Sequence, residues 1–332
     1  MHPRPKLFVS RCLGFDHCRY NGAMINDHTV ELLAGLCDVV TACPEADTGL
    51  GVPRDPVRLV MAGGQLLMVQ PATGLDHSEA MRAYCAAKAA ELKGAVDTVN
   101  PAGLPAVDGA LLKSRSPSCG IKDVKIYRKA EPGAMFDSGA GLFGQAVMEA
   151  LGGTPVEDEG RLKNYAIREH FFSCLYALAR FRQVALAGKP GGLVEYQARH
   201  KLMFLAMNQA SMRRLGRIVA NPEKRPFGEL LAAYRVELGT MFSTQAKPGG
   251  FINTALHAFG GFSDQLSVRE RSLFINSIEE YRDERIPASA LLALLKSWAL
   301  RFEVDYLLDQ VFLEPFPKEL VEITDSGKGR DR

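Results

Sequence analysis

Three cysteines, far apart in the chain, stand beside residues that suit metal ligation. Cys12 follows Ser10-Arg11, Cys43 precedes Pro44-Glu45, and Cys119 lies between Ser118 and Gly120, just after Ser116-Pro117. A proline stiffens a ligand loop, and a glycine lets backbone N–H groups approach a sulfur, both of which tune a thiolate site. Spacing alone leaves the alternatives open: three buried structural cysteines, a zinc site or a reactive thiol fit it too. Cys18, Cys37, Cys85 and Cys174 fall in helical or irregular contexts. Seven cysteines at irregular spacing do not make a secreted disulfide framework, so the expected compartment is the reducing cytoplasm.

The elements that must position these thiols alternate in type. Residues 6–10, 38–42 and 109–112 read as strands, and 57–60 with 66–69 as a hairpin. Residues 28–37, 77–95 and 139–151 read as helices, with Asp76 as N-cap of the second. Strands alternating with helices predict an α/β domain with a mainly parallel, Rossmann-like sheet. Cys12, Cys43 and Cys119 each fall just after a predicted strand, and the carboxyl ends of parallel strands form the ligand crevice of such folds. The glycine-led run Gly139-Ala140-Gly141-Leu142-Phe143-Gly144 lacks the spacing of a dinucleotide fingerprint and reads as tight helix–sheet packing.

Beyond about residue 161 the strand pattern stops. Amphipathic helices are predicted at 164–187, 193–219, 226–245, 268–284 and 288–312, giving an all-α C-terminal domain. The predicted organisation is residues 1–160, then 161–324, then a flexible tail 325–332. Residues 1–160 carry a net charge of −4 and the rest +6, a split that hints at a polyanionic partner. No 18-residue apolar run is present, so no membrane span is expected, and the N-terminus does not read as a signal peptide.

The segments Val9-Ser10-Arg11-Cys12-Leu13-Gly14, Arg19-Tyr20-Asn21-Gly22, Ala42-Cys43-Pro44-Glu45, Gly51-Val52-Pro53-Arg54 and Leu112-Lys113-Ser114-Arg115-Ser116-Pro117-Ser118-Cys119-Gly120 resemble the thiouracil desulfidase family in order and context. The resemblance covers nearly all of residues 6–160; one departure is Leu13-Gly14-Phe15, where the family often has two leucines before the glycine. The second half is similar to a companion helical domain through Arg161-Leu162-Lys163-Asn164-Tyr165, Arg168-Glu169, Arg199-His200-Lys201-Leu202 and Pro315-Phe316-Pro317-Lys318. The fused arrangement resembles bacterial desulfidases that act on 4-thiouridine in tRNA, whereas the first domain alone acts on free 2-thiouracil.

The resemblance implies a [4Fe–4S] cluster held by Cys12, Cys43 and Cys119, with one iron open to a thiocarbonyl sulfur. It implies hydrolytic, non-redox release of hydrosulfide. Glu45, two residues past Cys43, is the expected general base, with a pKa raised by the low-dielectric surroundings. Ser116 is the second catalytic candidate, ahead of Ser114 and Ser118, and Phe15 or Tyr20 could stack on a flipped base. Lys113, Arg115, Lys163 and Arg168 are candidate RNA contacts, as are Arg199, His200, Lys201, Arg213 and Arg217. Placed on one helix, Arg199, Arg213 and Arg217 would share a face. Partners are therefore tRNA or a thiolated base, without a membrane.

Overall fold

The computed structural model describes residues 2–94, 100, 103–129, 131 and 133–322. The expected tail 325–332, and Ala95 at the expected end of the second helix, lie outside the described residues. The chain packs as two compact units. One runs to Ala179 and takes in the segment from Glu319, and the other is Arg180–Lys318.

The first unit opens with β1 (Lys6–Ser10), α1 (His28–Leu36), β2 (Asp38–Ala42) and the single turn α2 (Pro44–Asp47). Next come β3 (Arg58–Ala62), β4 (Gln65–Gln70), β5 (Leu75–Asp76) and α3 (Ser78–Lys93). The remainder is β6 (Gly109–Leu112), β7 (Val124–Tyr127), β8 (Phe136–Gly139), α4 (Leu142–Ala150) and β9 (Val156–Asp158), leading into α5 (Tyr165–Ala187). Strands β2-β1-β6-β9 form one wholly parallel sheet. Its central strands are buried on both faces, as parallel sheets covered by helices must be. Phe8, Ala110 and Leu112 pack with Phe143 and Val147 of α4 on one face. On the other, the backbone of Gly109 lies against Leu175 of α5. This is the α/β architecture expected.

A second sheet, of order β5-β4-β3-β7-β8, accompanies the first. Only its β3–β4 hairpin was legible in the sequence. Gly63 and Gly64 both take positive φ at that turn, which suits the tight two-residue connection. Strands β7 and β8 escape an apolar-run search because Val-Lys-Ile-Tyr and Phe-Asp-Ser-Gly are short and mixed in character. Asp76 accepts the N–H of Ser78 at 2.8 Å, one position ahead of the cap residue His77.

The second unit is helical, as expected, with different boundaries. It contains α6 (Pro190–Met207), α7 (Gln209–Ala220), α8 (Phe227–Phe242), α9 (Pro248–Gly260), α10 (Val268–Arg282), α11 (Ala288–Arg301) and the short α12 (Asp305–Leu308). The single helix expected over 193–219 is two, because Asn208 takes extended backbone. It ends α6, and its side chain accepts the Ser211 N–H to cap α7. Arg199 therefore does not share a helix face with Arg213 and Arg217. Helix α9, led by Pro248-Gly249-Gly250, was hidden behind what reads as a loop signal; proline is favourable in a first helical turn.

His200, expected at an RNA surface, is buried in α6 between the rings of Tyr196 and Phe204, at 3.9 and 5.4 Å. Its Nδ1 lies 2.8 Å from the Tyr196 carbonyl. Burial, with Arg180 and Arg199 adding, pushes its pKa down to about 3. The ring therefore stays neutral in the folded unit while the unfolded chain protonates at its ordinary value. The His200 contribution to stability should fall as pH drops below about 6.5, by about 1.4 kcal/mol per pH unit until the folded pKa is approached. Burial raises the Glu169 carboxyl to about 7, which acts in the opposite direction over this range but equally in both proteins, so urea unfolding from pH 7 to 4.5 should show the slope as the difference between wild type and His200→Phe.

Candidate active site

The carboxyl ends of β1, β2 and β6 open onto one cavity of about 840 Å³. Cys12 leaves β1 in a turn closed by the Leu13 N–H on the Ser10 carbonyl. Cys43 caps α2 at the end of β2. Cys119 arrives by a longer loop from β6, and all three line the cavity. The three thiols expected to converge therefore do so. They are close enough to influence one another's ionisation, and Cys119 feels both Cys12 and Cys43. Burial, reinforced by Cys43, pushes the Cys12 thiol up to about 12, and burial raises Cys119 well above the ordinary range. Such thiols are the opposite of an activated nucleophile, which needs a lowered pKa. They would ionise on meeting a metal cation, as thiolate ligands must.

A fourth cysteine belongs to this group. Cys18 lines the same cavity, its carbonyl lies 3.8 Å from the Cys43 sulfur, and its own thiol hydrogen-bonds Cys43. Burial first, and Cys43 second, push it up to about 12. The only hint in the sequence was its position six residues past Cys12.

Glu45, on α2, is buried at the cavity wall. Its Oε2 accepts two N–H groups of Arg54, Nε at 3.0 Å and Nη2 at 2.6 Å. Its Oε1 accepts the hydroxyl of Ser118 at 2.6 Å. Arg54 also donates to the carbonyls of Cys18 and Gly51, so one guanidinium ties together the Cys18 loop, Glu45 and its own turn. The sequence had placed Arg54 only inside a family segment, without a role.

The serines are arranged differently from their expected ranking. Ser116 lines the cavity, but its Oγ accepts the N–H groups of Ser118 and Cys119 and shares a 3.0 Å bond with the Ser118 hydroxyl. It shapes the cysteine turn, while Ser118 reaches Glu45 directly and sits 3.9 Å from the Cys119 sulfur. This turn is held from behind by α4. The N–H groups of Gly141, Leu142, Phe143 and Gly144 donate to carbonyls of Pro117, Ser118 and Gly120. A Cβ on Gly141 or Gly144 would lie 2.3 Å from the Ser118 or Gly120 oxygen, so the glycine run is a packing device.

The candidate cations divide into committed and free. Lys113 Nζ is 2.5 Å from Glu159, which also accepts from the Ser114 N–H and hydroxyl. Burial opposes the Glu159 charge, but the Lys113 and Ser114 bonds prevail and hold its pKa below the usual range. Arg168 is buried, donating to the carbonyls of Leu162 and Glu322, so it presents no charge to RNA. Arg115 and Lys163 are exposed at the cavity with no carboxylate partner among the described residues, as is Lys122; Arg19, half-buried beside them, also has none. Arg115 holds a positive φ of 57°. In the second unit Arg199, Lys201, Arg213 and Arg217 are exposed and are not among the residues that line this cavity. Tyr20 lines the cavity and Phe15 does not.

Residues 7–159 match the family described as 2-thiouracil desulfurase, and residues 201–317 match one described as a protein of unknown function, DUF1722. The uncharacterized protein YbbK of Bacillus subtilis (strain 168) is 30% identical over 119 residues, covering 34% of this chain and 72% of YbbK. The chain belongs to the 2-thiouracil desulfurase family. The match stops at residue 159, one residue past β9, whereas the compact unit extends to Ala179. The uncharacterized protein YbgA of Escherichia coli (strain K12) is 28% identical over 154 residues, 46% of this chain and 89% of YbgA. Among solved structures, the [4Fe-4S]-dependent thiouracil desulfidase TudS is 25% identical, covering 48% of this chain and 93% of its own, with a TM-score of 0.34.

The Arg54–Glu45 pair has side chains only 4% and 11% exposed, whereas Arg128–Asp137 is 59% and 65% exposed. Breaking a buried pair leaves an uncompensated charge and costs about 3–5 kcal/mol, against less than about 1 kcal/mol for a solvated pair. Chemical denaturation of Arg54→Ala should show the large loss and Arg128→Ala the small one. Equal losses would mean that water reaches Glu45.

Proposed function

We propose that the cavity takes a thiolated pyrimidine, replaces its sulfur by oxygen from water and releases hydrosulfide, with 4-thiouridine in tRNA as the substrate. The observation that carries this is the convergence of Cys12, Cys43 and Cys119 beside a buried, fully partnered Glu45. The donor set fits an iron–sulfur cluster: three soft thiols on walls formed by separate strand ends, those of Cys12 and Cys119 held neutral by burial. Among the described residues no three His, Cys, Asp or Glu side chains are gathered closely enough to hold one metal ion as they stand. A cluster takes each cysteine on a different iron, so the three thiols need not gather round a single ion. When bound by the three cysteines, a [4Fe–4S] group supplies a soft Lewis acid for the thiocarbonyl sulfur.

The protein's own residues do the rest. Arg54 saturates Oε2 of Glu45, leaving Oε1 as the oxygen that can accept a proton from attacking water. Ser118, bonded to Oε1, is placed to orient that water or pass the proton. Ser116 fixes the turn that carries both Ser118 and Cys119. Buried Val57 gives the cavity an apolar patch on one side. The base must leave its stack to enter, as enzymes acting on a base atom require.

The free cations Arg19, Arg115, Lys122 and Lys163 around the cavity favour a substrate that carries phosphate over a bare base. With Arg168 and His200 buried and Arg199 beside Glu195, the charge that could face RNA is that at this cavity together with exposed Lys201, Arg213 and Arg217 on the helical unit. Reducing cytoplasm suits a chain whose seven cysteines are all free.

Anaerobically prepared protein should contain iron and acid-labile sulfide in equal amounts and release hydrosulfide from thiolated tRNA faster than from 2-thiouracil. Glu45→Gln should keep the iron and lose at least about 100-fold in turnover. Cys12→Ser should lose the iron itself. Zinc in place of iron, or full turnover in Glu45→Gln, would overturn the proposal.

A further inference from the structure

The second sheet has two faces of opposite character. Leu59, Met68, Val124 and Ile126 point into the core. Side chains alternate along a strand, so Arg58, Lys125 and Tyr127 occupy the outer face. Phe136 pairs directly with Tyr127 across the β7–β8 ladder and shares that face. There the Tyr127 and Phe136 rings lie 5.7 Å apart. The Arg58 guanidinium sits 4.9 Å from the Tyr127 ring centre, and the Lys125 ammonium 4.6 Å from that of Phe136. Phe136 is 50% exposed and Tyr127 half-buried. Two aromatic rings flanked by two cations, on an open sheet face, form a surface for bases and phosphates.

Its place in the fold links it to the cavity. Strand β3 begins directly after Pro56 and Val57, and β7 directly after Lys122 and Asp123, all of which line the cavity. These two strands run parallel, so the surface begins at the cavity wall and leads away from it. The charge along this route is net positive: Arg58, Lys122 and Lys125 lie on it with one carboxylate, Asp123, while Arg128 and Asp137 offset each other.

We infer that the outer face of this sheet binds single-stranded RNA next to the thiolated nucleotide, stacking a neighbouring base on Phe136 and Tyr127. Every base has a π-face, so such a platform accepts any flanking sequence, and its cations track the backbone. The inference deepens the proposed RNA desulfidation and assigns the flanking-nucleotide contact to the catalytic unit.

The test uses a short, sulfur-free single-stranded oligoribonucleotide, so that binding is read without turnover. Full-length protein should bind it in fluorescence anisotropy, and Phe136→Ala should weaken binding about tenfold or more. Phe136→Tyr should retain affinity and Phe136→Leu should not, since area without a π-face is insufficient. Lys125→Gln should make the slope of log K against log salt shallower by about 0.7. Turnover of free 4-thiouridine should be unchanged in all four. Wild-type affinity in Phe136→Ala or Phe136→Leu would overturn the inference, as would a face that serves a protein partner and ignores the oligonucleotide. Loss of turnover on every thiolated substrate by the wild type would instead overturn the desulfidase reading.

Discussion

A carboxylate buried at the end of a parallel sheet must be matched, and Glu45 is matched from both sides. Arg54 takes one oxygen with two N–H groups, and Ser118 takes the other. Because Arg54 also holds the Cys18 carbonyl, and Ser118 precedes Cys119, the same carboxylate joins the loops that carry the thiols. Thiol position and carboxylate position are therefore not independent. A loop that shifts breaks a buried charge pair, which is costly in a low-dielectric site.

The Cys119 turn is fixed by backbone contacts from α4 together with the Ser116 hydroxyl. Four N–H groups at the start of α4 would be orphaned in any helix, and here they meet carbonyls of residues 117–120. The approach is possible because Gly141 and Gly144 carry no side chain where the two backbones touch. Ser116 satisfies the turn from within. The thiol sits on a frame whose polar groups are spoken for, so its remaining freedom lies in ligand binding.

Charge is partitioned by function around the same cavity. Lys113 and Arg54 are consumed by Glu159 and Glu45 and serve the architecture. Arg19, Arg115, Lys122 and Lys163 are left facing solvent or the cavity without carboxylate partners among the described residues. The aromatic pair on the second sheet extends that basic rim along β3 and β7. A substrate arriving as a polynucleotide would meet phosphate contacts first and the thiols last.

Much of this was legible along the chain. Strand 6–10, strand 38–42 and strand 109–112 are apolar runs, each ending at or leading to a cysteine, and strand ends in a parallel sheet converge by geometry. Strand ends therefore singled out Cys12, Cys43 and Cys119 with structural, zinc and reactive-thiol readings still open, the family resemblance supplied the cluster and the base role expected of Glu45, and periodicity gave the helical second half. Tertiary structure alone decided the partners. Which serine reaches Glu45 depends on a turn 73 residues away, and Arg54 was a motif letter until folding aimed it inward. Arg168 and His200 read as surface cations, yet packing buries both, because a guanidinium or imidazole can enter a core once backbone carbonyls receive its N–H groups. The break at Asn208 and the outer face of the second sheet were hidden for the same reason: capping and strand pairing are settled by distant neighbours, which a linear pattern does not contain.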